Sequence, residues 1–98
     1  MKLGIELTTG TEAEDARTVR SIAEAALRQG HQVAIFLMDD GVYNVQQLKD
    51  LVAQGAEIAV CAHNCLERGV AKVEGVLWGG QNDWADMVHD ADRVMAFG

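Results

Sequence analysis

Two hydrophobic periodicities alternate along this chain, and together they predict nine elements. Lys2 to Thr8 reads as a strand, broken by Thr8-Thr9-Gly10. Thr11 opens a Thr-Glu-Ala-Glu run, a capping box with Glu14 three residues on. Val19, Ile22, Ala23, Ala26 and Leu27 follow at helical spacing until Gly30 stops the helix. Gln32 to Met38 is a second strand, apolar without a break and so expected to be buried on both faces. Asp39-Asp40-Gly41 is a turn. Val45, Leu48, Leu51 and Val52 form the next helical stripe, with Asn44 as its cap and Gly55 as its stop. Glu57 to Cys61 is a third strand, and a short helix closed by Gly69 follows it. Val73 to Trp78 contains a fourth strand, cut by Gly79-Gly80. Asn82 then caps a helix carrying Trp84, Met87, Val88 and Ala91, and Arg93 to Phe97 is the last strand.

Strands that alternate with helices over short connections predict a three-layer α/β/α sandwich around a five-stranded, mainly parallel sheet. The expected strand order is the flavodoxin-like 2-1-3-4-5. With 98 residues there is room for one domain, residues 1–98, and no second core. An apolar share of 49% with 23% charged residues fits a folded globular chain. No apolar run approaches a membrane span, and Met1-Lys2-Leu3-Gly4-Ile5 moves straight into a strand without the pattern of a signal peptide. The expectation is therefore a cytoplasmic protein with no membrane partner. A net charge of −7, with eight scattered basic residues, argues against nucleic acid and suits a partner with a basic docking face.

The chemistry concentrates after the third strand. Cys61 ends an apolar, β-branched run, which places a thiol at the carboxyl edge of a strand, where open α/β sheets hold their ligands. Backbone N–H groups of the following helix start would favour a thiolate, the nucleophilic form. Buried packing is the competing reading, since free cysteine is among the most buried residue types. His63 is within sequence reach of either thiol, or it is a solvated loop histidine. Cys65 lies one helical turn beyond Cys61 and is a core residue, a resolving thiol or a second sulfur carrier. Cys61, His63 and Cys65 do not have the usual zinc spacing, so no metal is expected. Asp39 and Asp40 read as a turn rather than a carboxylate pair. Thr8 to Thr11, with Thr9 and Gly10 at its centre, could hold an anion on backbone N–H groups, though it lacks a nucleotide-loop fingerprint. Trp78 is either a wall of the cysteine pocket or a core residue.

Five pieces in register resemble the DsrE/DsrF-like family of small sulfur-relay proteins, TusD-like members among them. They are the first strand into Thr8-Thr9-Gly10, the junction Gly30-His31-Gln32-Val33, and Phe36-Leu37-Met38-Asp39-Asp40-Gly41-Val42. Val60-Cys61 followed by Glu67-Arg68-Gly69-Val70, and Ala91-Asp92-Arg93-Val94-Met95-Ala96-Phe97, complete the set. The resemblance implies that Cys61 accepts sulfur as a persulfide, with Arg68 and Gly69 closing the short helix and with Asp40 and Gly41, from the strand-then-Asp-Gly-Val element, as binding residues. It also implies a small sulfur-carrier protein as partner, and a trimer, a hexamer or a hetero-oligomer with paralogues. Persulfide exchange needs no cofactor. Three features depart from the pattern: the segment between Val42 and Cys61 is short, Glu67 stands where a basic residue is usual, and Cys65 is an added thiol. They motivate the alternatives, a non-catalytic binding or regulatory subunit, or a small anion- or nucleotide-binding module.

Overall fold

The computed structural model describes residues 1–98. Its strands are β1 (Lys2–Leu7), β2 (Gln32–Leu37), β3 (Glu57–Cys61), β4 (Leu77–Gly79) and β5 (Arg93–Phe97). The helices are α1 (Asp15–Arg28), α2 (Val45–Leu48), α3 (Ala62–Arg68) and α4 (Gln81–Asp90). Every strand pair is parallel. The α/β class is as the periodicity predicts, but the strand order is 4-3-2-1-5 rather than the flavodoxin-like one.

The order follows from which face each connection packs on. In β1, Leu3, Ile5 and Leu7 point to one face and Gly4 and Glu6 to the other, because side chains alternate along a strand. Register continues this across the sheet: Ile5 pairs Ile35, which pairs Ile58, and Leu7 pairs Leu37, which pairs Val60. This first face is bulky and takes Ala16, Val19 and Ala23 of α1, Val42, Val45, Leu48 and Leu51 of the segment after β2, and Cys65 of α3 into one cluster. Three successive connections on one face require three steps in one direction along the sheet, given right-handed crossovers. Only the return from β4 to β5 uses the second face. There Ala34, Phe36, Ala59, Cys61 and Met87 form a small cluster, with Met38 and Trp84 packed on it.

Four local expectations change. Helix α1 begins at Asp15, with Glu14 at its N-cap, so the Thr11 box does not form. The stripe from Val45 to Val52 is no single helix: α2 is one short turn between 3-10 turns at Asp39–Asn44 and Lys49–Val52. Asn44 does not cap it. That side chain is buried, donating from Nδ2 to the Thr9 carbonyl at 2.8 Å and accepting from Gln47 Nε2 at 2.6 Å. At α4 the N-cap is Gly80, not Asn82, and the Asp83 carboxylate accepts the Gly80 N–H at 2.8 Å. No helix is long and apolar enough to cross a membrane.

Candidate functional site

Strands β3 and β4 are neighbours whose outgoing chains part. After Cys61 the chain turns into α3, whose buried Cys65 joins the first-face cluster. After Gly79 it turns into α4, which lies on the second face. Cys61 and Gly79 are register partners, so the parting occurs directly between them. This is the topological switch point, the crevice at the carboxyl ends of strands where open α/β sheets bind. Cys61 occupies it, at the N-cap of α3, and is 7% exposed.

The loop after β2 forms the facing wall. Asp39 takes a left-handed backbone, φ 49°, and donates its N–H to Asn64 Oδ1 of α3 at 2.8 Å. Asp40 accepts from Arg68 Nε at 2.9 Å, and this pair holds the Arg68 guanidinium even more firmly protonated than usual. Arg68 also pairs with Glu67 at 3.4 Å and reaches the Asn64 carbonyl, also at 3.4 Å. Through these bonds both aspartates tie the loop after β2 to α3. Gly41 follows because the turn passes against the end of β1, where any side chain would be driven into the Leu7 carbonyl. Gly69 ends α3 at φ 67°, a left-handed cap that lets the Val70 N–H bond the Cys65 carbonyl at 2.9 Å.

The remaining candidates separate. Cys65 is fully buried in the first-face core, and burial first, then the nearby Cys61 charge, pushes its thiol up, with Arg68 opposing. The His63 side chain is 79% exposed and turns its Nε2 to Glu67 Oε2 at 3.5 Å, away from both thiols. No three His, Cys, Asp or Glu side chains converge, so Cys61, His63 and Cys65 do not come together as a metal set. Trp78 pairs with Val60 in register and therefore lies on the first face, leaving Gly79 beside Cys61. It does not wall the thiol; Lys72 Nζ sits 5.7 Å from its ring centre.

The Thr8–Thr11 loop is already answered by the chain's own acids. Thr9 Oγ1 donates to Asp15 at 2.7 Å, and the Glu12 carboxylate folds against Gly10. A cavity of about 260 Å³ beside it is lined by Thr11, Glu12, Glu14, Arg17 and Gln47 among others, a setting with carboxylates where an anion would have to sit. Asn64, Met38 and Gln81 are site residues the sequence did not announce. Each acts across a long separation: Asn64 on Asp39, and Gln81 Nε2 on Met38 Sδ at 3.6 Å.

Comparison with known proteins agrees with this architecture. The sequence matches the DsrE/DsrF-like family over residues 1–97. It is 30% identical to the uncharacterized protein MK0008 of Methanopyrus kandleri, over 86% of this chain and 83% of that protein. It is 29% identical to the uncharacterized protein MJ0989 of Methanocaldococcus jannaschii, over 86% and 88% respectively. Among solved structures, the YchN protein of E. coli superposes with a TM-score of 0.73 at 22% identity, covering 98% of this chain and 97% of that one. The conserved protein BT1422 of Bacteroides thetaiotaomicron superposes at 0.78 with 18% identity, covering 98% and 94%. At these identities the two structures are relatives in fold.

Proposed function

Because the chain belongs to the DsrE/DsrF-like family, we propose that it is a sulfur-relay protein in which Cys61 accepts sulfur as a persulfide and passes it on. The observation that carries the reading is the position of Cys61 at the switch point between β3 and β4. The chemistry is one exchange. The Cys61 thiolate attacks the outer sulfur of a donor's cysteine persulfide, a new bond forms from Sγ, and the donor's S–S bond breaks. The donor leaves as a thiolate, and no net oxidation occurs. The reaction calls for no metal or organic cofactor. The partner is a small sulfur-carrier protein of the cytoplasm, where thiols stay reduced. Self-association, as a homo-oligomer or with paralogous subunits, belongs to the same reading.

Intact-mass spectrometry after incubation with a persulfide donor tests it. Wild type and Cys65→Ala should gain one sulfur, and Cys61→Ser should gain none. Uptake by Cys61→Ser as ready as that of wild type removes the assignment. A second reading, a non-catalytic binding or regulatory subunit, is favoured by the burial of Cys61 and by His63 facing Glu67. Under it, no variant takes up sulfur and Cys61→Ser retains the cellular role.

A further inference from the structure

A sulfur acceptor must be approached along the line of the bond it will form, yet Cys61 is buried. What buries it is the second-face cluster, in which Met87 is a member and Met38 and Trp84 are the partly buried packing residues. Helix α4 is therefore the cover, and its two ends are held very differently. At the far end Ala91 lies against Gly4, the Asp92 N–H bonds the Lys2 carbonyl at 2.7 Å, and the Asp92 carboxylate accepts the Lys2 N–H, also at 2.7 Å. These contacts pin that end to the start of β1, an interior strand. At the near end the helix follows two glycines, Gly79 and Gly80, and Gly79 has no room for a side chain because the Asp83 carboxylate folds over it. A side-chain hydrogen bond from Gln81 Nε2 to Met38 Sδ, just past the end of β2, holds this end, with Trp84 stacked on Phe36 at 5.9 Å behind it. Met87 is the one buried side chain of α4, whereas α1 buries three. Elements with few buried contacts open at the lowest free energy, and consecutive glycines supply the backbone freedom for the near end to lift while the far end stays fixed.

We propose that the first turns of α4, Gln81–Met87, are a lid over Cys61 that pivots on the pinned far end at Ala91–Asp92, with Gly79–Gly80 as the slack that lets it lift and Gln81 on Met38 as its latch. The inference rests on the reading of Cys61 as the sulfur acceptor, for which opening of the lid would admit the donor. Closed, the lid keeps the thiol from small oxidants and from water. Pinning of the far end confines the movement to the half of the helix that covers the thiol.

The test is a timed pulse of N-ethylmaleimide on the folded protein, followed by digestion and fragment mass spectrometry that reads Cys61 and Cys65 separately. Gln81→Ala should speed labelling of Cys61 by about two- to tenfold, the factor of one modest hydrogen bond. Gly80→Ala, which stiffens this slack segment in an extended backbone that alanine can adopt, should slow it. Cys65, buried against the opposite face, should label at the wild-type rate in both variants. An unchanged Cys61 rate in Gln81→Ala overturns the lid. So does a parallel rise at Cys61 and Cys65, which would mean that the whole fold opens. Alkylation requires no sulfur donor, so a lid that fails here and a transfer reaction that fails in the mass assay are separate results.

Discussion

Cys61 and Cys65 stand one helical turn apart in sequence yet belong to clusters on opposite faces of the sheet. The difference sets their chemistry: one thiol lies at a crevice, the other is a core side chain. Because burial raises the Cys65 thiol above its ordinary value, the folded state keeps a proton there that the unfolded chain gives up. The sign follows: above the unfolded thiol's pKa of about 8.5, the folded state binds more protons, so stability falls as pH rises toward the folded value. Urea titrations at neutral and alkaline pH should show this as a loss of at most about 1.4 kcal/mol per pH unit. Cys65→Ala, less stable at neutral pH for its lost packing, should show a shallower alkaline slope. The place of Cys61 at the carboxyl end of β3 was legible because an apolar run ending in cysteine fixes both strand and edge. Trp78 was not, because β4 starts at Leu77, and a start one residue earlier or later sends every side chain to the other face. Periodicity cannot locate so short a strand to that accuracy.

Elements are held to one another by a few side chains that sequence spacing does not reveal. Arg20 of α1 reaches across to the Lys49–Val52 turn, donating to both Asp50 oxygens, at 3.0 and 2.5 Å, and to the Gln47 carbonyl. Hydrogen bonding to Arg20 holds the Asp50 carboxyl below its ordinary value. Arg20→Gln should cost no more than about 1 kcal/mol, because the pair is solvent-exposed and screened. The Asp50 carboxyl should return toward the usual range in an NMR titration, a shift that a mere packing loss would not produce. Helices α1 and α4 were legible, since their apolar stripes are long, whereas the stripe from Val45 to Val52 folds as short turns. Their caps were not: Thr11, Asn44 and Asn82 carry the right side chains, but none makes the cap bond. Tertiary partners claim Asn44, and α1 starts four residues beyond Thr11. The order of strands was hidden for a related reason, as periodicity does not record on which face a helix returns. The clue lay in β1, where Gly4 and Glu6 mark a thin second face against the bulk of Leu3, Ile5 and Leu7.

At the scale of the molecule the asymmetry of the two faces ends in an unfinished border. Strand β5 pairs with β1 on one side only, and along it Val94 is 46% and Met95 39% exposed. A flat apolar edge with free N–H and C=O groups is a template for another strand. Arg93 is its single charge, on a chain of net charge −7, so like-charge repulsion is low there. The self-association proposed above is therefore expected at this border. Light scattering at micromolar concentration should give a multiple of the 10.6 kDa chain mass, and Val94→Lys should lower it by charging the edge. A monomer mass for wild type at that concentration contradicts the prediction.

The pairing of β1 with β5 also governs how the chain can reach this state. The Lys2–Asp92 bonds close a separation of 90 residues, and the strand they anchor is next to the centre of the sheet. During synthesis β1 can find β2 early, but its other side stays bare until Phe97 has left the ribosome. Helix α1 and the segment after β2 can cover Ile5 and Leu7 before then, but the N–H and C=O groups of that β1 edge stay unpaired. Closure of so long a loop is slow because its entropy must be lost before the contacts repay it. Strand β5 is thus the one that ends the exposure of β1, and a nascent chain stalled before it would be the species chaperones have to hold.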